Sequence, residues 1–167
     1  MWQCVLDGLV DSIASDHAPC TIEEKEEGMD NIWQAWGGIT GIQTMLPAVL
    51  TEGVHKRTLP MTAVVRMMAS TPARIFGLYP KKGCFQPGAD ADFTVVDLAR
   101  EWTFSANQIL SKNKHSLYVG FKFKGAIERT IVRGKTVCQG GRICVEPGYG
   151  QLQVRGYRYQ PIQPMRP

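Results

Sequence analysis

The spacing of apolar residues divides the chain near Leu78 into a helical first part and a strand-rich second part. Residues 2–8 have helical spacing and end at a glycine, which predicts the end of a helix. The apolar run 9–14 predicts a short buried strand, and the acidic stretch 15–36 predicts a long loop. Loops of that length in compact domains usually carry function.

Two further helical patterns precede Leu78. The first covers residues 38–52 and contains Pro47, which is expected to kink the helix. The second covers residues 60–69 and is followed by a short helix with Thr71 as N-cap and Gly77 as stop. The apolar stripe of the first pattern consists of Ile39, Ile42, Leu46, Val49 and Leu50.

After Leu78 the pattern changes to short strands and tight turns. Arg133-Gly134 and Gly140-Gly141 separate apolar runs in the way that hairpin turns do. Residues 146–167 are rich in Pro, Gly, Gln and Arg, which predicts a tail that is flexible in isolation or docks on a neighbour. The predicted strands are residues 91–96, 124–132, 135–138 and 142–145.

Composition narrows the class of protein. Of the 167 residues, 44% are hydrophobic and 20% charged, which is typical of a globular chain. The net charge of +4 comes from scattered Lys and Arg, and this argues against nucleic-acid binding. Five cysteines without a C-x-x-C pair indicate reduced thiols and a cytoplasmic location. No apolar run is long enough for a membrane span, so no membrane partner is expected.

The segment 15–20 is the strongest candidate for chemistry. A carboxylate such as Asp16 at the end of a buried strand can ligate a metal and accept a proton from a metal-bound water, although an aspartate there can also cap a turn or the following helix. His17 could orient that carboxylate, contact substrate or move protons, and it could equally be satisfied by the backbone. Cys20 is expected to line a pocket, because a proline interrupts any regular zinc-ligand spacing.

A second motif, residues 36–41, places three glycines at a predicted helix start. Glycines such as Gly37 and Gly38 let a ligand approach backbone N–H and C=O groups closely. The alternatives are loop flexibility or close helix packing. The chain has only three histidines and no His-x-His pair, so it lacks most of the ligands that a metal centre needs.

With these motifs the chain resembles the C-terminal part of the cyclic amidohydrolases, the group of allantoinases, dihydroorotases and hydantoinases or dihydropyrimidinases. Residues 13–20, 36–43 and 88–97 carry the resemblance. Dihydroorotases typically have a histidine where Cys20 stands and an aromatic residue where Gly37 stands, and hydantoinases tend to have Asn-Gly in place of Gly37-Gly38. Among these groups the motifs look most like those of allantoinase.

The resemblance implies an α/β fold, namely the last strand and helices of a (β/α)8 amidohydrolase barrel followed by a small β-sandwich subdomain. Residues 1–78 would form the end of the barrel, residues 79–145 the sandwich strands and residues 146–167 the tail. The barrel strand would end at Asp16. The resemblance also implies a homo-oligomer, often a tetramer.

For chemistry, the resemblance implies two metals, usually zinc, held by a His-x-His pair, a carbamylated lysine, two further histidines and the aspartate Asp16. Asp16 would be metal ligand and general base, with His17, Cys20, Gly37 and Gly38 around the substrate. The expected reaction is opening of a cyclic amide, allantoin to allantoate. Dihydroorotate or hydantoin as substrate, or a non-catalytic scaffold role, are the alternatives. One ligand cannot hold two metals, so the isolated chain is expected to be inactive.

Overall fold

The computed structural model describes residues 1–155, and it is helical in its first half. Helix α1 ends two residues before Gly8, whose φ of 75° confirms the predicted stop. The helices are α1 (Trp2–Leu6), α2 (Ile22–Glu26), a 3-10 turn (Ile32–Gln34), α3 (Met45–Val49) continued by a π-helix (Leu50–His55), α4 (Met61–Val65) continued by a π-helix (Arg66–Ser70), and α5 (Thr71–Ile75).

The prediction of a strand over residues 9–14 is wrong. The segment is irregular, Leu9 is 74% exposed, and the N–H of Ile13 donates to the carbonyl of Met67 in the helical region. A strand requires a hydrogen-bonded neighbour. Within residues 1–155 this segment has no such neighbour, so its apolar composition is not sufficient to make it a strand.

The loop predicted over residues 15–36 contains helix α2, which the sequence interpretation missed. Its start is a capping box. The Thr21 hydroxyl accepts from the N–H of Glu24 at 3.3 Å, and the Glu24 carboxylate accepts from the N–H of Thr21 at 2.7 Å. The two bonds satisfy two backbone N–H groups at this end of the helix, which stabilises even a helix of five residues.

The helix predicted over residues 38–52 begins later, at Met45. Pro47 therefore lies in the first turn, where its missing N–H removes no intrahelical hydrogen bond, and the predicted interior kink is wrong. The prediction of Thr71 as an N-cap is also wrong. The backbone is helical at Thr71 and at Ser70 before it, so the helix runs on from the preceding π-helix, and Thr71 is only 5% exposed. Gly77, with φ of 69°, is the confirmed stop.

The second half forms one four-stranded sheet in the order β1-β2-β3-β4. Both predicted hairpin turns are confirmed, because Arg133 and Gly134 have φ of 48° and 76°, and Gly140 and Gly141 have 55° and 79°. Positive φ at both central residues is what two-residue hairpins need. The strands are β1 (Phe93–Thr103), β2 (Lys122–Val132), β3 (Lys135–Gln139) and β4 (Arg142–Ile143).

The described chain consists of two compact units made of interleaved segments. One contains residues 1–13, 58–96 and the chain from Ile127 onward; the other contains residues 14–57 and 97–126. The first unit buries Val64 and Met67, and the second is built on Phe104, Ile109 and Phe123. The division into barrel end and sandwich near Leu78 stays a prediction.

The tail was predicted over residues 146–167, of which 156–167 lie outside the described residues. Residues 146–155 contain no helix or strand. Tyr149 is nevertheless bound to the β2–β3 hairpin: its hydroxyl donates to the carbonyl of Val132 at 2.9 Å, and its own carbonyl accepts from the Arg133 guanidinium at 2.6 Å. In the described part of the chain, none of the helices is both long and apolar enough to cross a bilayer.

Candidate functional site

Asp16 has an exposed side chain on a left-handed backbone, with φ of 45°. Few residues other than glycine adopt this conformation, although aspartate tolerates it better than most. Such conformations persist where the surrounding structure holds them, and they are enriched at active sites. The carboxylate accepts no hydrogen bond from any residue in 1–155, so it is free to act on a group from outside the described chain.

His17 turns its imidazole toward the glycine motif. Nδ1 accepts from the N–H of Gly41 at 3.1 Å and from the N–H of Ile42 at 3.3 Å. A neutral imidazole whose Nδ1 accepts carries its proton on Nε2, so this hydrogen-bond pattern assigns the tautomer. The sequence left open whether backbone groups satisfy this histidine; they do, but through amide donors and not through carbonyl acceptors.

The backbone around Asp16 also pairs with the glycine motif. The N–H of Ala18 donates to the carbonyl of Ile39 at 3.0 Å, and His17 and Ile39 form an isolated parallel bridge. This is the one short piece of parallel β pairing in the described chain. It joins the two motifs that the sequence had selected separately.

The glycines of the motif differ in what surrounds them. A Cβ on Gly38 would lie 2.2 Å from the carbonyl oxygen of Ala18, and a Cβ on Gly41 would lie 2.7 Å from that of Ser15. Gly37 has nothing within 4 Å of its Cβ position. The space beside Gly38 and Gly41 is therefore filled by the chain's own backbone, and only Gly37 keeps open space that a ligand could use.

Cys20 is buried, with 2% of its surface exposed, and its thiol lies 3.8 Å from the carbonyl oxygen of Gly38. It therefore sits beside the same glycine turn. The structure thus places His17 and Cys20 against the glycine turn, with Asp16 next to His17 in the chain.

A cavity of about 360 Å³ lies beside His17. Sequence reasoning missed the residue that holds its wall, Gln43. The Gln43 side-chain amide donates to the carbonyl of Gln108 at 2.6 Å and accepts from the N–H of Leu110 at 3.0 Å. Its place in the motif 36–43 was visible in the sequence, but its partners, more than 60 residues away, were not. The lining includes His17, Thr40, Gln43, Phe104, Ile109 and Ser111.

The described residues do not by themselves fit a binuclear zinc centre. Within residues 1–155 there is no group of three or more His, Cys, Asp or Glu side chains that could hold a metal ion. Zinc sites take three or four protein ligands. Asp16 could contribute one oxygen ligand, and the other ligands would have to come from outside this part of the chain.

Among the curated proteins that are similar to this chain, three are named for activities on different substrates. L-hydantoinase of Paenarthrobacter aurescens is 39% identical over 155 residues, which is 93% of this chain and 34% of the relative. Allantoinase of Rubrobacter xylanophilus is 40% identical over 147 residues, 88% of this chain and 32% of the relative. Dihydroorotase of Elusimicrobium minutum is 38% identical over 144 residues, 86% and 32% respectively. Identity alone does not separate these activities.

Solved structures of hydantoinases are also similar to this chain. The structure of the L-hydantoinase (dihydropyrimidinase) from Arthrobacter aurescens matches with a TM-score of 0.86 at 40% identity, covering 90% of this chain and 33% of that one. A D-hydantoinase from Thermus sp. matches with a TM-score of 0.84 at 29% identity, again covering 90% and 33%. This chain thus spans about a third of the length of its relatives.

The model of the amidohydrolase family matches residues 1–137, most of the chain. The predicted family is confirmed at this level, while the narrower likeness to allantoinase is not resolved. The chain belongs to the amidohydrolase family, with the cyclic amidohydrolases, namely hydantoinases, allantoinases and dihydroorotases, as its relatives.

Proposed function

We propose that this chain supplies the proton-transferring aspartate of a metal-dependent site that hydrolyses a cyclic amide, and that the substrate is allantoin, opened to allantoate. The observation that carries the proposal is Asp16: an exposed carboxylate, without a hydrogen-bond partner among residues 1–155, on a left-handed backbone and on a segment bonded to the glycine motif. At a metal-dependent site, a carboxylate in this position would take the proton of the attacking water and pass it to the leaving nitrogen.

We assign the proton transfer to this chain. Zinc, when bound by such enzymes, supplies an activated water and a Lewis acid. Residues 1–155 contribute at most one of its ligands, Asp16, so the ligand set would be completed by chain outside the described residues. The isolated 167-residue chain is therefore proposed to be inactive.

The choice of allantoin rests on Cys20 and Gly37. Dihydroorotate carries a carboxylate, which favours a cationic or imidazole group nearby, and the family resemblance implies that dihydroorotases place a histidine where Cys20 stands. Here that position holds a buried cysteine, and Gly37 is open where an aromatic side chain would fill the space. A small neutral ureide suits this pair better than an anion. Hydantoin, also neutral, is the second candidate.

The experiment grafts this chain into the L-hydantoinase of Paenarthrobacter aurescens in place of the matching third. The 39% identity and the TM-score of 0.86 for an L-hydantoinase structure support such an exchange. The graft is loaded with zinc and assayed on allantoin, hydantoin and dihydroorotate. Turnover is expected, with allantoin gaining relative to hydantoin when compared with the parent enzyme.

Two results would count against the proposal in different ways. A folded, zinc-loaded graft that hydrolyses none of the three compounds contradicts the catalytic role and favours a scaffold. A graft that hydrolyses hydantoin with no gain on allantoin contradicts the substrate assignment only. Circular dichroism and metal content, measured first on every preparation, separate misfolding from inactivity.

A further inference from the structure

We propose that His17 is a positioning residue, whose Nδ1 fixes the glycine turn 36–42 against the Asp16 segment and so sets the direction of the Asp16 carboxylate. The inference rests on the proposed function for the part that Asp16 plays. Of the roles that the sequence left open for His17, this is orientation of the carboxylate and not contact with substrate.

The first observation is that the Nδ1 lone pair of His17 is already used. Two backbone N–H groups, those of Gly41 and Ile42, point at this one atom from 24 and 25 residues away in sequence. A nitrogen that accepts these bonds can be neither a base nor a metal ligand while the turn is in place. What the imidazole does through Nδ1 is therefore to hold backbone.

The second observation is that the turn is held on both sides of Asp16. Before it, the carbonyl oxygen of Ser15 lies where a Cβ on Gly41 would come within 2.7 Å. After it, the N–H of Ala18 donates to the carbonyl of Ile39 at 3.0 Å. With the Nδ1 bonds of His17, three contacts surround one residue whose φ of 45° is unfavourable for a side chain. Strained backbone persists only where the surroundings determine it in this way.

A competing role remains for the other nitrogen. His17 is also one of the residues that line the cavity of about 360 Å³, so its Nε2–H could donate to a bound substrate. The two roles use different atoms of one ring, and substitution can separate them. An Asn side-chain oxygen can take the accepting position of Nδ1, and a Gln side-chain N–H can take the donating position of Nε2.

The first test uses the 167-residue chain itself and needs no activity. Amide hydrogen exchange at Gly41 and Ile42 is compared in wild type, His17→Asn, His17→Gln and His17→Leu. Since each bond contributes about 1 kcal/mol, exchange should become about fivefold faster in the Gln and Leu variants and stay within about twofold of wild type in the Asn variant. His55→Asn, the same change elsewhere in the same compact unit, should leave both amides unchanged.

Protection of the Phe104 amide, which donates to the carbonyl of Phe121, shows that each variant is folded. Unprotected Gly41 and Ile42 amides in folded wild type, or equal exchange in all four proteins, would overturn the proposal. The same holds if Gln protects these amides and Asn does not.

The second test asks whether the hydrogen bonds of His17 Nδ1 affect the reaction at Asp16 in the grafted hydantoinase. Misplacing a reacting group by about 1 Å can lower a rate about a hundredfold, so His17→Gln and His17→Leu should lower kcat by about 10- to 100-fold with little change in KM, and His17→Asn should restore it. Rescue by Gln, with a raised KM in the Asn variant, would assign His17 to substrate binding and overturn the proposal. If Asp16→Asn leaves kcat unchanged, the proposed function fails. The hydrogen-exchange result for the Gly41 and Ile42 amides does not depend on that outcome.

Discussion

Replacing Gly38 by alanine is expected to destabilise the chain, whereas the same change at the neighbouring Gly37 is not. The two glycines are adjacent in sequence and lie in the same turn. A Cβ on Gly38 would meet the main-chain oxygen of Ala18 at 2.2 Å, and a Cβ on Gly37 would meet nothing within 4 Å. Each variant is therefore a control for the other.

The magnitude follows from the geometry. The contact at Gly38 is more than 1 Å shorter than the 3.4 Å at which ordinary van der Waals contact begins, and the atom it meets is backbone. Overpacking of this kind costs about 1 to 3 kcal/mol. Alanine also restricts the unfolded chain, which stabilises by about 0.4 to 1 kcal/mol where the native backbone suits it. The free energy of unfolding of Gly38→Ala should thus be about 2 kcal/mol lower than that of Gly37→Ala.

The assay is urea unfolding of the 167-residue chain, monitored by circular dichroism. The thermal midpoint Tm of each variant is measured as well. A difference of that size corresponds to about 4 to 8 °C in Tm for a chain of this length. The slope of the urea transition should be the same in both variants, since the change concerns the folded state. Equal stability of the two variants, or a less stable Gly37→Ala, would refute the close approach of the glycine turn to Ala18 and with it the way that we place Asp16.

Three further predictions concern other parts of the chain. The hydrogen bond from Lys82 holds the pKa of Asp90 below its ordinary value. The ionised Asp90 carboxylate therefore stabilises the fold above the ordinary pKa, and this stabilisation is lost as pH falls through the lowered pKa. Asp90→Asn should reduce the loss of urea stability in acid, and an unchanged acid profile would contradict the pairing. Cys20, 2% exposed, should react with a thiol reagent after the exposed Cys4 and Cys144, as mass spectrometry of partially labelled chain can show; early labelling of Cys20 would contradict its burial. The isolated chain with added zinc should hydrolyse none of the three cyclic amides, and turnover there would show that fewer ligands suffice.

Features fixed by local chemistry were predictable from the sequence. Gly134 and the pair Gly140-Gly141 mark turns that require positive φ, and Gly8 and Gly77 end helices for the same reason. These predictions hold because a glycine in the left-handed region is favoured over other residues wherever it stands.

Features that depend on distant partners were not predictable. The run 9–14 has the composition of a buried strand, yet in the described residues it meets no neighbouring strand. Thr71 has the local pattern of an N-cap, but the preceding helix continues through it. A local sequence pattern cannot predict either outcome, because both are decided by tertiary context.

The candidate site shows the same division. Asp16, His17, Cys20 and the glycines were found from their motifs, since residue type and spacing carry that information. That the Nδ1 atom of His17 holds the amide of Gly41 could not be read from residues 24 positions apart. The family resemblance does not supply it either, since it concerns residue types and not hydrogen bonds.

Proton transfer by Asp16 is tested by comparing kcat of Asp16→Asn and Asp11→Asn in the zinc-loaded hydantoinase graft. Both aspartates are exposed and five residues apart, and both substitutions remove one negative charge while leaving the side-chain size almost unchanged. We expect that Asp16→Asn lowers kcat by at least about a hundredfold, as loss of a positioned general base does, and that Asp11→Asn leaves it within about twofold. Equal activity of the two variants would contradict the assignment of proton transfer to Asp16.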